Sequence, residues 1–225
     1  KYSIMASILK VDKIRGTGLD SDTISLDGSG NITIPKNVTF TGTTTGAGAM
    51  EIITGLTTGG QGVASQEISL STSSDYIYQK IVIRGLYSTT VADLQLHLHD
   101  QAGGSYVTGY DARVNEGISN SVGSNTTGGT GGTSQSHIRM NWYSLGNSAS
   151  KPNLFTIDIH HSNTASIETI VTGTRSGGQS DGNYAVAFFG GRSRDEEIND
   201  KIKLVPSSGS GLYLQDFIVY GIKKT

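Results

Sequence analysis

Apolar residues in this chain alternate with polar ones at a period of two, and no stretch sustains the 3.6-residue period of an amphipathic helix. The alternation has two grammars. In residues 1–65 it comes in short bursts: Ile24 and Leu26, then a DGSGN turn, then Ile32 and Ile34, then Val38 and Phe40 after Pro35-Lys36-Asn37. Such bursts predict strands of three to five residues, too short to make a sheet alone. TGTTTGAGA then reads as an extended connector, and MEIITGL fits either a strand or one helical turn.

From residue 66 onward the strands lengthen. QEISLSTS, YIYQKIVIRGL, ADLQLHLHD, SYVTGYDAR, SHIRMNWYSL, NLFTIDIHH, IETIVTGTR, NYAVAFFGG, DKIKLVP and LYLQDFIVYGI follow one another. Their spacing predicts an antiparallel β-sandwich of the immunoglobulin-like or jelly-roll kind. Three strands carry a clean inner face: Leu94, Leu96 and Leu98; Ile138, Met140 and Trp142; Phe155, Ile157 and Ile159. NYAVAFFGG is apolar on both parities, which predicts a central strand covered on both sides. The expected fold is all-β: a jelly-roll-like sandwich head over residues 66–225, and an oligomerising extension of short strands over residues 1–65.

Composition sharpens this picture. Of 225 residues 31 are glycine and only 16% are charged, as suits many strands joined by glycine-containing turns. Three prolines and no glycine period of three exclude collagen. A net charge of −2 without a basic stripe argues against nucleic acid. The longest apolar run falls short of a membrane-spanning helix, so no membrane insertion is expected. With no cysteine there is neither a disulfide framework nor a thiolate metal site. The opening residues lack the apolar core of a secretory signal, and Met5-Ala6-Ser7 reads as a natural start with residues 1–4 upstream of it. Burying every apolar side chain of residues 1–65 would recover less free energy than ordering their backbone costs. That segment therefore needs identical copies or another protein to fold against, or else it is a floppy tail.

Two strings resemble a known family. MASILKVDKIRGTGLDSDTISLDGSGNITIPKNVTFTG, residues 5–42, resembles the opening of many tail-fibre and virion structural proteins of marine and cyanobacterial phages. Those proteins begin with an ILKVD-x-I segment and continue through L-x-x-(S/D)-G-N-I/V-T-(I/V)-P units. YIYQKIVIRGL with LQLHLHDQAGGSYVTGYD, and LYLQDFIVYGIKK near the C-terminus, are similar to the β-sandwich that ends many of them. The resemblance implies a non-enzymatic structural protein of the virion, often homotrimeric, with its end domain facing a receptor or other virion proteins. It implies no catalytic residues and no cofactor.

Candidate chemistry is sparse. His97 and His99 lie two apart on one strand and share a face, so with Asp100 adjacent they are metal-ligand candidates. The plainer reading is a solvated face opposite Leu94, Leu96 and Leu98. Of His160 and His161, at most one could join them. Asp93, Asp100, Asp111, Asp158 and Glu168 are the carboxylates available to a polysaccharide depolymerase, but no spacing favours one pair. No G-x-S-x-G elbow is present. The acidic run Asp195, Glu196, Glu197 with Asp200 lacks a calcium-loop pattern. Residues 117–135, GISNSVGSNTTGGTGGTSQ, read as a long low-complexity loop, either inert or adapted to a cell-surface glycan through amides such as Asn120 and Asn125. Tyr106, Tyr110 and Tyr143 are the candidate aromatic platforms for a sugar, with Trp142 assigned to the core. The expected function is a phage tail-fibre or appendage subunit recognising a receptor glycan or a partner. The alternatives are a head-decoration or adaptor protein, and a surface-polysaccharide depolymerase.

Overall fold

The structure is a computed structural model that describes residues 13–14, 24–26, 32–33, 50–90, 92–119, 125–208 and 211–223. The chain divides into two units, Lys1–Thr45 and Gly46–Thr225. In the first, β1 (Lys13–Ile14), β2 (Ile24–Leu26) and β3 (Ile32–Thr33) form an antiparallel meander, with Ile14 opposite Ile24 and Leu26 opposite Ile32. The start at Met5, the DGSGN turn, the Val38–Phe40 burst and the TGTTTGAGA connector lie outside the described residues.

The second unit is built around one long strand, β7 (Tyr76–Ser88). Before it come β4 (Met50–Thr57), β5 (Gln61–Val63) and β6 (Gln66–Ser69). After it come β8 (Leu94–Asp100), β9 (Ser105–Tyr106), β10 (Tyr110–Ser119), β11 (Asn125–Gln135) and β12 (Ile138–Arg139). The chain continues through β13 (Asn153–His160), β14 (Ile170–Gly178), β15 (Tyr184–Ser193), β16 (Asn199–Pro206), β17 (Leu212–Tyr213) and β18 (Asp216–Lys223). The larger sheet runs β11-β10-β15-β14-β13-β7 and passes on to β18 and then β4. At the far end of β7 the neighbour is β17, itself paired to β5. The smaller sheet runs β12-β8-β16-β6, with β9 beside β8. Every pairing is antiparallel, and no described residue is helical.

Alternation explains how the two sheets meet. Leu94, Leu96 and Leu98 of β8, Ile202 and Leu204 of β16 and Ile68 of β6 share one core with Ile81 and Ile83 of β7, Phe155, Ile157 and Ile159 of β13, and Val114 of β10. Each such side chain contributes about 1.5–3 kcal/mol when fully buried. The result is a sandwich-like all-β domain. Gly85, at φ 68°, inserts one extra residue into β7, and the register against β13 slips there. The buried phase accordingly changes from Gln79, Ile81 and Ile83 to Leu86 and Ser88. A Cβ at Gly85 would stand 2.5 Å from that of Gln215, so glycine is required on both counts.

Four sequence expectations change. Residues 50–63 are strands of the second unit, since β4 pairs with β18 and β5 with β17; the chain divides at 45/46, where the sequence suggested 65/66. The expected loop at 117–135 is mostly a hairpin: Ile118 stands opposite Thr126 and Val114 opposite Thr130, because glycine and threonine lie flat along an edge strand. NYAVAFFGG is central, between β10 and β14, but only Ala185, Ala187 and Phe189 are covered. Trp142 is only partly buried; it packs against the core while the Arg139 guanidinium lies 4.6 Å from its ring centre.

Candidate functional site

The open side of β15 carries the most prominent surface feature of the second unit. Tyr184, Val186 and Phe188 point away from the core, and Phe188 is 65% exposed. A large apolar ring this exposed gains little from the fold in this position, which makes it a candidate contact surface. Its cross-strand neighbours are Asn115 on β10 and Thr174 on β14. The next outward position along β15 is Gly190, flanked by Arg113 and Thr172. With no side chain at Gly190, the sheet surface dips there.

The dip is a shallow depression of about 610 Å³, bounded by Phe188, Arg113, Arg192, Asp111, Thr172 and Ile170. A second depression of about 580 Å³ lies on the far side of Phe188, over Gly117, Gly129 and Thr127. Phe188 and Arg113 border both. Each volume lies in the range of small-molecule sites, about 300–1,000 Å³. The rim is ordered by charge: Arg192 donates from Nε and Nη2 to Asp111 Oδ2 (3.2 and 2.9 Å) and from Nη1 to Glu168 Oε2 (2.7 Å). These contacts hold the Asp111 carboxyl below its usual range and raise Arg192 further. Arg194 donates to Ser134 Oγ at 2.6 Å. Arg113, by contrast, is exposed, and its guanidinium makes no hydrogen bond or ion pair to any described residue.

Behind this face lies a buried polar knot. Glu116, on the inner side of β10, pairs with Arg175 of β14, and both side chains are fully buried. Glu116 Oε2 also accepts the backbone N–H groups of Trp142 and Tyr143 at 2.5 and 2.7 Å. The remaining Arg175 donors reach Asn153 Oδ1 (2.8 Å) and the carbonyls of Tyr143, Ser144 and Gly178. Burial pushes the Glu116 carboxyl up and the Arg175 guanidinium down, each partly offset by the other. The knot fixes the segment after β12 against the larger sheet.

The sequence candidates fall elsewhere. Tyr110 cannot be a platform: it is 0% exposed, and its hydroxyl crosses the sandwich to accept the Leu98 N–H at 2.8 Å. Its neighbours on β10 alternate about it, and position 110 falls in the inward phase. Tyr143 is half-buried, and Tyr106 is half-buried with its hydroxyl donating to Glu67. Asn120 lies outside the described residues, and Asn125 opens β11 opposite Ser119. His97 and His99 do share the open face of β8, but the Tyr106 ring stands against both, 6.4 and 5.1 Å away between centres. His99 Nδ1 is 2.7 Å from Asp200 Oδ1, and burial lowers His97 to about 4. No three metal-ligating side chains come together among the described residues. Of the five carboxylates, Asp93 meets Arg139, Asp158 meets Lys80, Asp111 and Glu168 meet Arg192, and Asp100 accepts the Ala102 N–H.

Sequence reading missed Phe188, Arg113 and Asn115. The available signal was a doubly apolar strand ending in Gly190-Gly191. No protein-family model, curated protein or solved structure matches the chain.

Proposed function

We propose that this chain is a non-enzymatic structural subunit of a bacteriophage particle, a tail-fibre or appendage protein, and that the open face of β15 recognises a cell-surface glycan. The observation carrying the recognition half is Phe188, exposed on a glycine-floored surface with amide, hydroxyl and guanidinium groups around it. An exposed aromatic ring stacks on the C–H face of a sugar, while Asn115, Thr172 and Thr174 can exchange hydrogen bonds with its hydroxyls. The virion half rests on the resemblance of residues 5–42 to phage fibre openings. A homotrimer and a jelly-roll-like winding of the head complete the reading, the first drawn from the resemblance to phage fibre proteins and the second from the two facing antiparallel sheets.

The test is retention of the full chain on immobilised bacterial surface polysaccharides, wild type against Phe188→Ala. Retention of the wild type with at least a tenfold loss in the variant is expected. Equal retention of both, or none by either, overturns the recognition reading. An adaptor that binds other virion subunits is favoured by a different observation: β11 is an eleven-residue edge strand without a charge or a proline, open to pairing with another chain. That reading predicts capture of a capsid or tail protein, unaffected by Phe188→Ala.

A further inference from the structure

We infer that the depression over Gly190 is selective for a carboxylate-bearing saccharide, with Arg113 as the anion contact; this rests on the glycan-recognition reading above. The argument begins with which cations are already committed. Arg192 spends its donors on Asp111 and Glu168, and Arg194 is turned to Ser134 and lies 3.8 Å from Asp111. On the inner side Arg175 is closed by Glu116 and four other acceptors' worth of contacts. Lys80, on β7 three strands from β15 and on the same outer surface, is held by Asp158 at 2.6 Å. Arg113 alone among the cations bordering the depression keeps its guanidinium uncommitted to any described residue.

Its position is also defined. The stem of Arg113 leans across Gly131 of β11, where an added Cβ would come within 3.0–3.1 Å of the Arg113 Cβ and Cγ. Gly190 stands directly opposite on the other side. With glycine as its cross-strand neighbour on both flanks, Arg113 has no side chain directly beside it on β11 or β15. Phe188 is the next outward residue from Gly190 along β15, so a ring stacked on Phe188 has its substituents near Arg113. A carboxylate there can take two parallel N–H bonds from the guanidinium fork, which a neutral hydroxyl cannot match. Of the charged groups lining the depression, Asp111 and Arg192 pair with each other, and the Arg113 guanidinium is left unpaired among the described residues.

The test uses the full chain and matched probes: polygalacturonate, alginate and hyaluronate, each against its methyl ester. Esterification removes the charge and leaves the sugar ring for Phe188. Binding to at least one acid, weaker by tenfold or more on its ester, is expected. Arg113→Gln should abolish that preference, Arg113→Lys should restore part of it, and added salt should weaken it. Lys201→Gln, the same charge change on the smaller sheet, should leave it intact. Binding of acid and ester alike, lost in Phe188→Ala but unchanged in Arg113→Gln, overturns the inference while glycan recognition survives. Failure of every acid to bind, while neutral surface polysaccharides are retained through Phe188, overturns it equally. If Phe188→Ala changes retention on no polysaccharide, the recognition reading itself falls.

Discussion

Replacing Glu116 by glutamine should unfold this protein more readily than any exposed substitution. Glu116 presents one oxygen to Arg175 and the other to the Trp142 and Tyr143 N–H groups. A glutamine has one carbonyl oxygen, so its NH₂ group must face donors on one side or the other. At the same time Arg175, fully buried, loses its only carboxylate. Removing one partner of a buried pair costs about 3–5 kcal/mol, because an uncompensated charge is left behind. Arg175→Met should cost a similar amount, since Glu116 is left without its cation and Asn153 Oδ1 and the Ser144 carbonyl lose their donor. The double variant should lose less than the sum of the two, with a coupling of about 1–3 kcal/mol. Urea unfolding followed by fluorescence of the single tryptophan, Trp142, and by circular dichroism measures all three. The partly exposed pair Lys80–Asp158 serves as reference and should contribute less, about 1 kcal/mol. A loss below about 1 kcal/mol for Glu116→Gln, with strictly additive double-variant behaviour, would refute the buried-pair account.

Three further outcomes are expected. Tyr110→Phe should lower stability by about 1–3 kcal/mol by orphaning the Leu98 N–H, and leave glycan retention untouched; reduced retention at unchanged stability would restore the platform role. Gly173→Ala should cost about 1–3 kcal/mol, because its Cβ would stand 2.3 Å from Phe189 Cζ and 2.5 Å from the Thr156 carbonyl oxygen; a neutral result in urea unfolding would show that β13 and β15 can part. Burial holds His97 at about 4 against an ordinary 6.5, with His137 and Lys203 adding to the effect, so the unfolded chain binds the proton first. The stability this protects is complete above pH 6.5 and is lost progressively as pH falls toward 4. The displacement would be worth roughly 3 kcal/mol for a sequestered group, and solvent screening of this partly exposed ring reduces that to about 1–2 kcal/mol. His97→Gln should flatten the urea midpoint between pH 7 and pH 4.5, although His137 and His160, also lowered by burial, keep some slope. An unchanged slope in that variant would show that His97 carries none of it.

The sequence by itself determined most of the longer strands and, where apolar and polar residues strictly alternate, their inward faces. Leu94, Leu96 and Leu98, or Phe155, Ile157 and Ile159, can be covered together in only one way, because side chains of a strand alternate and a one-residue slip would expose all three. The same local logic made Gly85 legible only as a glycine, since its effect on the phase of β7 depends on the partner strand. The site escaped local logic for a related reason. Tyr184, Val186 and Phe188 are as apolar as Ala185, Ala187 and Phe189, and nothing along the strand tells which set is covered. Coverage depends on the smaller sheet, whose strands β6, β8 and β16 come from distant parts of the chain and pack on one side only. Tyr110 shows the converse: a tyrosine beside a turn looks available, yet its partner is the Leu98 N–H on the facing sheet. Arg113 and Arg175 are indistinguishable as letters. Tertiary structure set one beside a buried carboxylate and left the other exposed above a glycine floor, because electrostatic pairing is decided by distances that only the packed sheets fix.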